Sequence, residues 1–423
     1  MHEREAIQTT RLPSGLHIIT ESMPGVASVA LGISVDAGSA DELTPNVYGQ
    51  AHFLEHMLFK GTETRTAYTL AEAIEDVGGQ LNAFTERETT HLYVRVLADH
   101  LPTALELLAD MVCHSTFPAE EFDRERQVVI EEIRKYEAMP DERIHDLIME
   151  ALWQDGGLGH AILGTEDSVR GFTPDLIRQC WLRHFSVDRL IITVAGKLEH
   201  EPLVAQVAEA FAAAPVPASL PAAAPGNRVA HKVLDEDEEQ IQFAWGVRSY
   251  PAADERNYAL TILDAILGAS ATSRLFQEIR EKRGLAYDVA SYTMAFRTTG
   301  LLCASGATSP ETFREVIELM HREILTLKRN GISERELARA KEQMKSGMAI
   351  SLESSLERMR RLATHQLTWG AVYPLDYLLQ RTNAVTRDEV MAVAEDLLQL
   401  DQWAFTAIGP VDLAEILPFI TTT

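Results

Sequence analysis

A chain of 423 residues is longer than one hydrophobic core supports and predicts two domains of about 200 residues each. Its 63 acidic against 38 basic residues give a net charge of -25, which excludes nucleic acid and anionic membrane surfaces as partners, since both need a basic face. No apolar run of about eighteen residues offers a membrane span. The polar start Met1-His2-Glu3-Arg4-Glu5-Ala6 carries no secretory signal, and Cys113, Cys180 and Cys303 lie far apart, so buried thiols in a reducing, cytoplasmic compartment are expected.

In chain order, short β-branched blocks at 15–20 and 28–35 predict two strands. After a loop over 37–45 comes Gly49-Gln50-Ala51-His52-Phe53-Leu54-Glu55-His56-Met57-Leu58-Phe59-Lys60-Gly61, read as a helix. His52, Glu55 and His56 stand at i, i+3 and i+4 and so share one face. Phe53, Leu54, Met57, Leu58 and Phe59 surround them, so the polar trio must look into a cleft or at an ion, because unpaired it is costly to bury. Two neutral imidazoles that hold Zn²⁺, an open position for water and a carboxylate to take its proton make up zinc-dependent hydrolysis. The order H-x-x-E-H is the inverzincin pattern. A solvated acidic surface helix is the competing reading, and a third ligand decides between them.

A helix over 70–77 is stopped by Gly78-Gly79, and strands follow at 81–85 and 91–97. Helices are predicted at 101–112 and 119–153, the second bent or broken by Pro140, then at 165–171 and 173–184. A strand over 190–195 and a helix over 201–213 complete the first half. The Pro- and Ala-rich stretch 214–227 reads as a linker dividing a catalytic, zinc-binding domain (1–213) from a second domain (228–423).

Beyond it the order of elements repeats. Leu70 to Gly79 and Leu275 to Gly284 both lead into strands, with Ile74 and Ile279, and Gly79 and Gly284, at one offset of 205 residues. The predicted architecture is α+β, with two homologous domains, each a mostly antiparallel sheet with helices packed on it. Residues 259–268 contain no histidine, so the metal chemistry belongs to the first copy alone.

Candidate third ligands lie on the long helix, where Glu125 and Glu132 are seven residues apart and share a face, with Glu131 turned about 100° away. One of the pair can ligate and the other brace a ligand histidine through its free ring nitrogen. A solvent-facing stripe paired with Arg124, Arg126 and Arg134 is the alternative.

These residues, with Glu132 following His56 by 76 positions, resemble the pitrilysin-like zinc peptidases, and within them the branch of the catalytic β-subunit of the mitochondrial processing peptidase and its bacterial relatives. Gly78-Gly79-Gln80-Leu81-Asn82-Ala83-Phe84-Thr85 and Arg280-x-x-x-Gly284-Leu285-Ala286-Tyr287 carry the resemblance further, over about 11–410. It implies one Zn²⁺ bound by His52, His56 and Glu132, Glu55 as general base and then acid, and Glu125 as supporting carboxylate. It implies that Asn82, Ala83 and Phe84 lie on the strand that receives a peptide as an added β-strand, and that Arg280 and Tyr287 hold the substrate backbone and the developing oxyanion. It further implies pairing into a homodimer, or a heterodimer with a related subunit. The expected activity is metalloendopeptidase hydrolysis of peptides or unfolded segments, the alternative being a non-catalytic scaffold subunit, which usually lacks the motif set. Where many relatives carry Gly-Ser-Arg before the motif, this chain has Gly38-Ser39-Ala40.

Overall fold

The computed structural model describes residues 6–154, 157–216 and 230–420, so most of the expected linker, from 217 onward, lies outside the described residues. The first half runs β1 (Ile7–Arg11), β2 (His17–Ser22), β3 (Ser28–Val35), α1 (Gln50–Leu58), α2 (Ala67–Glu75), β4 (Gln80–Thr85), β5 (Thr90–Leu97), α3 (Leu101–Cys113), α4 (Ala119–Glu137), α5 (Pro140–Leu152), α6 (Glu166–Arg170), α7 (Pro174–His184), β6 (Leu190–Gly196) and α8 (His200–Ala210). The second runs β7 (Lys232–Leu234), β8 (Ile241–Ser249), α9 (Asn257–Leu267), a π-helical segment (Phe276–Glu281), β9 (Ala286–Ala295), β10 (Gly300–Thr308), α10 (Pro310–Asn330), α11 (Glu334–Ser351), α12 (Ser355–Trp369), α13 (Leu375–Ala384), α14 (Arg387–Leu397), β11 (Ala404–Ile408) and α15 (Leu413–Ile420). The predicted helix over 119–153 breaks at Ala138-Met139, with Pro140 at the first turn of α5, where its missing N–H costs nothing.

Apart from β1, which has no counterpart, the six-stranded first sheet and the five-stranded second share one strand order. One is ordered β1-β2-β6-β3-β5-β4 and the other β7-β11-β8-β10-β9. In each, a single parallel pair (β2 with β6, β7 with β11) is followed by antiparallel pairs down to a terminal strand (β4, β9). The expected α+β fold with two homologous, mostly antiparallel sheets is what is observed.

Two compact units interleave along the chain. One comprises Met1–Lys135, His160–Ala224 and Ala349–Pro374, and the other Tyr136–Gly159, Pro225–Met348 and Leu375–Thr423. They differ from a single lengthwise division at 214–227 in α5 and α12, each of which belongs to the unit built mainly from the other half. In the first unit, α1 and α3 cover one sheet face around Val29, Leu31, Val94 and Phe53, α4 packs on α1 through Phe122, and α12 covers the other face through Met359 and Leu362. A Cβ at Gly32 would overlap Met359 Sδ, so the glycine is what lets α12 lie this close. Fully buried Glu21 pairs with Arg358 and with Arg361 at 3.1 Å, and removing one partner of such a buried charge costs about 3–5 kcal/mol. In the second unit α5 packs on β8 and β11, and Trp245, Phe243, Trp403 and Phe405 centre the core.

Cys113, Cys180 and Cys303 are buried free thiols, as expected, and burial pushes Cys113 and Cys303 up to about 12. Among the described residues no helix is long and apolar enough to cross a membrane.

Candidate metal centre

The helix α1 starts at Gly49, whose φ of 87° and close approach to the Leu163 carbonyl exclude a side chain. Its first free N–H groups are not left open. Buried Glu42 accepts from Gly49 N at 2.7 Å and Ala51 N at 2.8 Å and meets His160 Nε2 at 2.9 Å. Burial drives its carboxyl well above the usual range, against the pull of those helix amides. Phe53 packs on Phe122 at 4.9 Å and on Phe172 at 5.4 Å, which sets the facing positions of α1 and α4.

The face of α4 that meets α1 carries buried Phe122, Glu125, Val129 and Ile133, with Glu132 at its margin, 42% exposed. The seven-residue spacing brings both Glu125 and Glu132 against α1. Glu132 Oε2 lies 3.8 Å from His52 Nε2 and 3.6 Å from His56 Nε2, and the three donor atoms all fall within 4.8 Å of one another. Donors of a tetrahedral zinc site with bonds of about 2.0–2.1 Å stand about 3.3–3.4 Å apart, so these three residues fit one ion with only small side-chain adjustment. Glu131, by contrast, is 68% exposed and pairs with Arg134 at 2.6 Å.

Glu125 does not converge with that trio. Its carboxylate is 7% exposed and accepts from His56 Nδ1 at 3.0 Å through one oxygen and from Lys60 Nζ at 2.6 Å through the other. It therefore fixes the tautomer that turns His56 Nε2 toward Glu132. Glu125 is held below the usual carboxylate range: burial opposes ionisation, but His56 and Lys60 outweigh it.

Glu55 is oriented by the sheet. Thr85 Oγ1, at the end of β4, donates to Glu55 Oε2 at 2.5 Å. Burial raises the Glu55 carboxyl, with Glu132 adding and Thr85 and His56 opposing. Burial, with help from His56, lowers His52 to about 3, so that ring is neutral with a lone pair to give. Burial also works against a proton on His56, but Glu125, Glu132 and Glu55 together raise it. Three carboxylates gathered round two imidazoles are a place where a divalent cation relieves repulsion.

The terminal strand β4 carries Asn82, Ala83 and Phe84. The Ala83 N–H donates to Asn82 Oδ1 at 2.9 Å, and Ala83 stands opposite Leu92 of β5. Phe84 stacks on His91 at 4.7 Å, under the Arg360 guanidinium at 4.8 Å. In the second unit Arg280, on the π-helical segment, donates to the Tyr287 carbonyl at 2.8 Å and lies 4.4 Å over its ring, which is itself 80% exposed. Nearby Glu278 pairs with Lys282 and with Arg283 at 2.6 Å. Sequence reasoning singled out neither Glu42, Lys60 nor Thr85. Lys60, four residues after His56, is the one with a sequence signal, since a helix-terminal cation at that spacing shares the face of the histidine.

Residues 17–166 match the model of the insulinase family, peptidase family M16, and residues 171–344 match that of the peptidase M16 inactive domain. The chain is 38% identical over 398 residues to a protein of Bacillus subtilis named uncharacterized zinc protease YmxG, across 94% of this chain and 97% of that one. It is 37% identical over 419 residues to an uncharacterized zinc protease of Streptomyces coelicolor, across 97% and 91% of the two chains. In fold it is similar to a peptidase M16 inactive domain from Pseudomonas fluorescens (TM-score 0.87, 22% identity, 96% and 98% covered) and to a protease from Helicobacter pylori (TM-score 0.86, 20% identity, 96% and 99% covered). With two family models matched in succession and relatives of this identity along nearly its whole length, the chain belongs to peptidase family M16.

Proposed function

We propose that this chain is a zinc metalloendopeptidase that hydrolyses internal bonds of peptides or unfolded segments in the cytoplasm. The observation that carries the reading is the convergence of His52 Nε2, His56 Nε2 and Glu132 Oε2, with Glu55 on the same helix face and tied to the terminal strand β4. These three residues would hold the ion. When bound, zinc supplies a Lewis acid that polarises the scissile carbonyl and makes water a nucleophile at neutral pH.

The protein's own residues supply the rest. Glu55 takes the proton of the attacking water and returns it to the leaving amine, a role that its raised carboxyl suits. The open edge of β4 at Asn82, Ala83 and Phe84 takes the peptide as an added strand through backbone hydrogen bonds, which tolerates varied sequences and leads the chain past Thr85 to Glu55. Arg280 and Tyr287 hold the substrate backbone, the Tyr287 phenol donating to the oxyanion. The net charge of -25 favours basic peptides at long range. Because one sequence holds both the metal set and the Arg280–Tyr287 pair, two copies form a self-sufficient homodimer; a related subunit is the alternative partner.

Mass spectrometry of a mixed peptide library, with and without a chelator, tests the activity. Chelator-sensitive cleavage at internal bonds is expected. Release of terminal residues alone, or cleavage indifferent to the chelator, contradicts the reading.

A further inference from the structure

Resting on that reading of the metal centre, we infer that Lys60 is a positioning residue for zinc binding, acting through Glu125 on His56. The helix α1 ends at Leu58, and Lys60 follows its C-cap Phe59, one turn beyond His56. His56 on α1 and Lys60 just past its end close on the two oxygens of a single carboxylate brought by α4: Nδ1 to Oε2 at 3.0 Å and Nζ to Oε1 at 2.6 Å.

A carboxylate with one buried partner rotates about its last torsion, whereas one gripped at both oxygens does not. Glu125 is buried among Phe122, Val129 and Ile133, so no exposed cation can substitute for Lys60 from solvent. The grip matters because His52 Nδ1, by contrast, finds no partner among the described residues. Control of ring orientation is therefore concentrated on His56, and it runs through the Glu125 carboxylate to the Lys60 ammonium. The Lys60 charge also faces the C-terminal end of α1, where a cation is favoured whatever Glu125 does. The experiment has to separate these two roles.

Zinc affinity of the full-length protein, measured by competition with a chromogenic chelator, is compared for wild type, Lys60→Met, Lys60→Arg, Glu125→Gln and the double variant Lys60→Met/Glu125→Gln. Lys60→Met is expected to weaken zinc binding about 10-fold, within the range for residues that orient a ligand histidine, and Lys60→Arg to recover most of it. In the Glu125→Gln background, Lys60→Met is expected to add nothing, since the pathway is already cut. An unchanged affinity in Lys60→Met, or a full further loss in the Glu125→Gln background, overturns the inference and leaves Lys60 as a helix-terminal charge. Should Lys60→Met fail to fold, Lys60→Gln, which removes the charge and keeps a polar side chain on a shorter stem, carries the same comparison. A wild type that binds no zinc removes the peptidase reading itself, while a wild type that binds zinc no better than Lys60→Met removes this inference alone.

Discussion

Thr85 Oγ1 donates to Glu55 Oε2 at 2.5 Å, so the carboxylate beside the candidate metal ligands is aimed by the last residue of the terminal strand β4. The contact joins the proposed peptide-receiving edge to the proposed base. Thr85→Val keeps the shape and removes the donor. Zinc content is expected to hold while kcat falls about 10- to 100-fold with little change in KM, the scale on which small misplacements act. A kcat equal to wild type would show that the hydroxyl does not align Glu55.

Adjacent glutamates on α4 give a sharp contrast. Glu132 Oε2 stands within 3.8 Å of both imidazoles, whereas Glu131 points away to Arg134. Elemental analysis after dialysis should find zinc lost from Glu132→Gln and retained by Glu131→Gln. Equal retention in the two variants would exclude Glu132 as a ligand.

A buried carboxylate in the second unit gives a pH dependence of stability. Burial raises Asp264 to about 6, against a hydrogen bond from Ser291 that favours the charged form. Its unfolded value is the ordinary 3.8. The neutral form is thus preferred in the fold, and this contribution is fully present below about pH 4 and lost as pH rises through about 6. Asp264→Asn keeps the neutral shape. Urea titrations should show it more stable than wild type by about 3 kcal/mol at pH 8, the gain shrinking toward zero near pH 4. A gain that does not vary with pH would exclude titration of this group as its cause.

Subunit sharing is testable by mixing. Glu55→Gln and Tyr287→Phe are each expected to lose most turnover, by about 100-fold or more for the first. If Tyr287 serves the metal site of a partner copy, mixing the two inactive proteins restores part of the activity. Mixtures no more active than their components argue for service within one copy.

The motif helix was legible because a 3.6-residue period places His52, Glu55 and His56 together whatever surrounds them. The same geometry separated Glu132 from Glu131. It left Glu125 and Glu132 interchangeable until the packing of Phe53 on Phe122 fixed which of them reaches the imidazole Nε2 atoms and which reaches Nδ1. Thr85 was illegible as a partner of Glu55, since strand alternation gives a residue's face but not which helix lies over it. The assignment of α5 and α12 to units was illegible for a related reason. An amphipathic pattern declares that a helix has a face to bury, but Met359 and Leu362 match the sheet of either half equally well in composition.

The central claim is that one ion gripped by His52, His56 and Glu132 works with Glu55 as the proton carrier. Zinc content and peptide turnover of Glu55→Gln, measured side by side on the same preparation, test it most directly. The account predicts full zinc occupancy with turnover reduced about 100- to 10,000-fold. Turnover near wild type with zinc in place would contradict it.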